Sequence, residues 1–118
     1  MPATQTMFLN GVPELVVLRL LSRREMYGYE LVKAIESCTQ GALTFGEGCI
    51  YPVLHALQQR GLLRTRRMEA ESGRSRQYYA MTAKGKRHLQ KVTGQWQSIH
   101  AAVSALLDNG GIVHEGRA

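Results

Sequence analysis

A chain of 118 residues, 44% of them apolar, can bury one core and has little room for a second. No apolar run approaches the roughly 18 residues of a membrane helix, and the N-terminus lacks the basic, apolar, small-residue order of a secretory leader. The formal charge of +6 is unevenly placed: Arg60 to Lys91 holds ten Lys/Arg against Glu69 and Glu71, a balance of +8, while the remainder holds five basic and seven acidic residues, or −2.

Such a concentrated patch is the footprint expected for a phosphate backbone, although a solvated face would give the same count. Cys38 and Cys49 lie eleven apart without a CxxC pattern. In a chain without a leader both read as reduced thiols, which places the protein in the cytoplasm. His55, His88, His100 and His114 have no metal-ligand spacing with one another or with the cysteines, so no metal or other cofactor is expected.

In chain order, Met7, Phe8 and Leu9 are the first apolar residues that could pack on a neighbour. Asn10 can cap a first helix with Pro13 and Glu14 in its first turn, running to about Ser22. PELVVLRLL is apolar on most sides, as a central or intersubunit helix would be. Met26-Tyr27-Gly28-Tyr29 reads as a turn. Tyr29 to Cys38 then forms a second helix on the stripe Leu31, Val32 and Ile35, with Glu30, Lys33 and Glu36 facing water.

The third helix is the centre of the sequence. Gly46-Glu47-Gly48 feeds its start, Pro52 falls in or near its first turn, and Gly61 closes it. Ile50, Val53, Leu54 and Leu57 make a single apolar stripe. Tyr51, His55, Gln58 and Gln59 make an outer face without a carboxylate, suited to lying in a groove. Short joins between three helices give a helix-turn-helix.

Beyond Gly61 the period changes. Leu62 to Met68 and Gln77 to Met81 read as strands about a polar loop, residues 69–76, turning at Gly73. A basic hairpin directly behind a helix-turn-helix is a wing. Tyr78 and Tyr79 alternate across the second strand, so one belongs to the core. Thr82 caps a last helix of about 25 residues, ended at Asn109-Gly110-Gly111, with residues 110–118 as a tail. Lys84, Lys86 and Arg87 oppose the positive end of that helix's dipole, an arrangement that suits phosphates or a partner better than water alone. Leu89, Val92, Trp96, Ile99, Val103 and Leu106 step by 3 and 4, the seam of a coiled coil. A helix of ~38 Å is too long for so small a domain to cover, and a second copy is the economical partner. The expected organisation is a winged helix-turn-helix over residues 1–81 and a dimerisation helix over 82–109, mainly α with a two-stranded wing.

MYGYELVKAIE, GALTFGEGCIYPVLHALQQRGLL, ESGRSRQYYAMTAKGKRHL and the long helix with Trp96 resemble the PadR family of bacterial winged-helix transcriptional regulators, over residues 12 to 107. The single C-terminal helix is similar to the small-subfamily members. The resemblance implies a homodimeric repressor on a pseudo-palindromic operator in double-stranded DNA, relieved by a small molecule or other signal. By position, Tyr51, Pro52 and His55 would meet DNA from the third helix, and Arg74 and Arg76 from the wing. Cys49 stands where Ser or Thr is expected, which weakens any hydroxyl contact with phosphate there. Lys84 joins the candidate DNA-binding set through its charge. Pro52 would serve equally well as a plain helix starter.

Trp96 is too large for a tight two-stranded seam. Val92, Ile99 and Val103 would wall a gap beside it, with Gly94 leaving room, for an aromatic effector of the kind that small PadR-like proteins sense. Two indoles filling the dimer core is the plainer alternative. A winged-helix module that binds protein and not DNA would call for an acidic or neutral wing and an apolar outer face on the third helix, and the sequence has neither. An enzyme built on Cys49 as nucleophile and His55 as base fails on spacing: six apart on one helix, they point to different faces and no third group orients them.

Overall fold

In the computed structural model the backbone is described for residues 3–109, and side chains from Gly11 onward. The order is α1 (Ala3–Leu21), β1 (Met26–Tyr27), α2 (Gly28–Cys38), α3 (Glu47–Gln59), β2 (Leu63–Glu69), β3 (Ser75–Met81) and α4 (Ala83–Asp108). The strands form one antiparallel sheet in the order β1-β3-β2. This is a winged helix-turn-helix with a long C-terminal helix.

Three expectations are corrected. The first helix starts at Ala3, so Asn10 lies inside it and Pro13 is an interior, buried proline. Its ring removes one helical N–H donor, so the carbonyl four residues earlier loses that partner. The side chains of Met7, Phe8 and Leu9, and the tail at 110–118, lie outside the described residues. Met26 and Tyr27 are a strand rather than part of a turn, paired with Tyr79 and Tyr78. Finally, β2 and β3 run further than their apolar residues, to Glu69 and from Ser75. Backbone pairing continues regardless of solvent-side polarity, and the true turn is Ala70–Arg74. There Ala70 N–H donates to Arg74 O at 2.8 Å, and Gly73 takes φ of 84°.

The core gathers one face from every element: Val17, Leu18 and Leu21 of α1, Leu31 and Ile35 of α2, and Ile50, Leu54 and Leu57 of α3. Leu63, Tyr79 and Met81 come from the sheet, and Leu89 from α4. Each aliphatic side chain buried this way contributes about 1.5–3 kcal/mol over exposure. Of the tyrosine pair, Tyr79 is the buried one. Leu89, first residue of the 3-4 pattern, is only 9% exposed and belongs to this core. The exposed part of the pattern begins later, at Trp96.

The join of α3 to α4 is the most tightly bonded region. Leu62 N–H donates to Leu57 O at 3.0 Å and Gly61 N–H to Gln58 O at 2.9 Å, a Schellman ending made possible by Gly61 at φ of 78°. Thr82 then caps α4 by accepting from Gly85 N–H at 3.0 Å, and its own hydroxyl donates to Gly61 O at 2.7 Å. A Cβ on Gly85 would collide with the carbonyl of Leu62. Around this join, Glu14 of α1 bonds Arg60 at 3.1 Å and His88 of α4 at 3.0 Å. The start of α4 is therefore fixed to the end of α3.

Candidate nucleic-acid interface

The buried stripe of α3 leaves the opposite side in water. Gly48, Pro52, His55 and Gln59 follow one another at helical spacing, and all four are exposed. Pro52 lies in the second turn and not the first, because Gly46 is the N-cap and Glu47 opens the helix. Without an N–H it leaves the Gly48 carbonyl short of its helical donor, on the exposed side. Glu47, the helix's single carboxylate, sits in the first turn, where the dipole favours it.

Tyr51 stands on one flank and Cys49 on the other. The Tyr51 ring lies against Gly28 at the start of α2, yet the residue keeps 41% of its surface in water. Burial first, and Glu47 second, push its phenol pKa up, so it stays protonated and able to donate. Burial, with Tyr51 as the lesser cause, raises the Tyr79 phenol too. Cys49 is half-buried and faces a groove shared with Glu14, Pro52 and Val53, toward α1. It is off the exposed stripe.

On the wing, Arg74 occupies the turn; its side chain is exposed and enters none of the three Arg–Glu ion pairs among the described residues. Arg76 is placed differently: its guanidinium lies 4.5 Å over the Tyr27 ring, which in turn meets Tyr78 edge-on at 5.4 Å. Arg67 reaches Ser75 at 3.2 Å and Gln77 at 3.3 Å. Arg66 grips Glu25 with both forks, and that guanidinium holds the Glu25 carboxyl below its usual range.

Lys84 is not with these groups. Its ammonium donates to Arg60 O at 2.9 Å, capping the C-terminal end of α3. β3 separates it from the wing turn by seven residues, ~20 Å of strand. The structure thus brings Tyr51, Pro52 and His55 together on α3 and sets Arg74 and Arg76 on the wing. Cys49 turns to a flank, and Lys84 holds the base of the fold. Sequence reasoning placed Gly28 only in a turn and Arg67 only among ten cations; the structure sets Gly28 under the Tyr51 ring and Arg67 beside Ser75 and Gln77.

The long helix carries a second feature. Trp96 (37% exposed), Ile99 (59%), Val103, Leu106 and Leu107 (73%) stand in water. Trp96, Val92 and Ile99 line a groove of about 350 Å³ whose far wall is Gly11, Val12 and Leu15 of α1. Gly94, expected beside the indole, faces a separate groove with Gln90, Lys91 and Ser98. Among the described residues no helix is long and apolar enough to cross a membrane.

Residues 17–91 match the family model described as the transcriptional regulator PadR-like family. Over 101 residues the chain is 40% identical to the transcriptional regulator YqjI of Escherichia coli, covering 86% of this chain and 47% of that one. The chain thus spans about half the length of that curated relative. The PadR-like transcriptional regulator BC4206 of Bacillus cereus superposes with a TM-score of 0.72 at 32% identity, covering 86% of this chain and 96% of that one. Bacillus subtilis PadR, solved in complex with operator DNA, shares the fold at a TM-score of 0.63 and 24% identity, over 68% of this chain and 45% of its own.

Proposed function

The chain belongs to the PadR-like family of transcriptional regulators, which are not enzymes, and from that premise we propose that it is a homodimeric, operator-binding repressor released by a small aromatic effector. The observation that carries this reading is the α3 side formed by Gly48, Pro52, His55 and Gln59, exposed and free of acid, with Tyr51 beside it. Arg74 of the wing gives the electrostatic grip, suited to phosphate or a narrow minor groove. Tyr51 and His55 offer single hydrogen bonds and not the bidentate fork that discriminates bases strongly. Recognition on this reading is as much positioning and shape as direct readout. Such a protein works in the cytoplasm, where the operator is.

Assembly through residues 82–109 is supported by the apolar side chains left in water from Trp96 to Leu107. A second copy would cover them and would set the distance between two reading helices. The aromatic effector is supported by the groove beside Trp96, whose volume suits a small ring stacked on indole. A ligand there acts only by favouring one spacing of the reading helices over another. The bonded join of α3 to α4 would transmit that choice without slack.

The reading is tested by capturing genomic fragments on the protein at moderate salt. Pseudo-palindromic fragments with half-sites ~34 Å apart, or a multiple of that, are expected. Fragments without a common sequence would refute operator recognition. Sedimentation should show a dimer at micromolar concentration, which Val103→Glu dissociates by placing an unpaired charge in the apolar face. Trp96 fluorescence titrated with aromatic compounds, with and without operator, tests release; quenching that leaves operator affinity unchanged would remove the effector from the mechanism.

A further inference from the structure

Gly28 opens α2 with ordinary helical backbone, and no positive φ requires glycine there. The residue is buried, and what fills the space of its missing side chain is the phenol of Tyr51. A Cβ at Gly28 would overlap Cε1, Cζ and Oη of that ring. Immediately before it, Tyr27 sits in β1, pairs with Tyr78 of the wing and carries the Arg76 guanidinium on its face. Two consecutive residues therefore hold one side chain from the reading helix and one from the wing.

We propose that Gly28 is a positioning residue for operator recognition: it seats the Tyr51 ring so that the Tyr51 hydroxyl and the Tyr27-held Arg76 guanidinium stand at a fixed separation. This rests on the reading that α3 and the wing face DNA. It assigns a function to a residue that could touch no base or phosphate through a side chain. The chemistry it serves is a phenol donor and a guanidinium donor, both of which can bond oxygen acceptors of the nucleic acid. Fixing their spacing before binding avoids ordering them during it.

The obstacle at Gly28 is the tip of a partly exposed side chain, not backbone. An alanine there pushes the ring into solvent and leaves the helix in place. The test is a double-mutant cycle in the full chain, reading both the melting transition and operator affinity at one salt concentration. Tyr51→Phe, which keeps the ring seated, should melt like the wild type and bind operator about tenfold more weakly, the scale of one hydrogen bond to a charged group. Gly28→Ala should fold and lose at least as much. In a Tyr51→Ala background, the same Gly28→Ala change should leave affinity within about twofold, since no ring remains to displace.

Equal losses from Gly28→Ala in both backgrounds would overturn the proposal, placing the effect in the backbone of α2. Wild-type affinity in either Gly28→Ala or Tyr51→Phe would overturn it as well. Should Gly28→Ala alone fail to fold, the double variant must fold, and an unfolded double variant refutes the seat. A wild-type chain that does not discriminate operator from random DNA would bring down the DNA-binding reading together with this one. An uncoupled cycle in a discriminating wild type would bring down the seat alone.

Discussion

The two ends of the wing carry charge of the same sign and use it in opposite ways. At the base, Lys84 caps α3 through Arg60 O, and Arg60 itself is bonded to Glu14 beside His88. At the tip, Arg74 projects from a five-residue turn with no ion-pair partner among the described residues. Both ends belong to the same +8 stretch of sequence. Charge density alone therefore does not mark a footprint for nucleic acid: the base uses its cations to hold the chain together, and the tip leaves its cation available.

Gly85→Ala should separate the two ends most sharply. Its Cβ would meet the Leu62 carbonyl, which is backbone and cannot swing aside. A loss of about 3 kcal/mol is expected from such overpacking, seen as a fall in Tm of roughly 10 °C or more. A wild-type Tm would mean the close approach at the base is not needed. Thr82→Ala comes next. It removes both the cap on Gly85 N–H and the bond to Gly61 O, for about 1–2 kcal/mol by thermal or denaturant melting.

At the tip, Arg74→Ala should change stability by less than about 0.5 kcal/mol. It should instead lower the slope of log affinity against log salt by about one. A changed melt with an unchanged slope would reverse the comparison. The smallest effect lies mid-sheet, where Arg66 holds the Glu25 carboxyl below its ordinary range. A lowered folded pKa means the contribution is fully present above the ordinary carboxylate range and disappears as pH falls through the lowered value. Both side chains are open to solvent, so Glu25→Gln should only slightly flatten the acid limb of a stability–pH curve.

Much of the fold was legible because it is locally encoded. The stripe Ile50-Val53-Leu54-Leu57, the Gly61 ending and the Thr82 cap each reside within a few residues of one another. β1 was not legible: a two-residue strand has no period, and its partners Tyr78 and Tyr79 lie some fifty positions later. The 3-4 spacing on α4 was visible from the sequence, but spacing cannot say what covers each residue, and the fold's own core covers Leu89. Of the candidate site, the side of α3 with Tyr51 and His55 could be read from helical geometry. The seat at Gly28 and the diversion of Lys84 could not, because both depend on long-range approach of backbone to side chain.

On the proposed dimer, the apolar length of α4 beyond the core makes copy number a physical variable. In that dimer, side chains left exposed in the single chain, such as Ile99 and Leu107, gain burial from the second copy, so the pair would gain stability by mass action. Each tenfold dilution would cost the pair about 1.4 kcal/mol of assembly free energy. The melting temperature should then climb with protein concentration. Dilution below the dissociation constant of the pair would empty an operator with no ligand present, making the abundance of the chain itself an input to the switch.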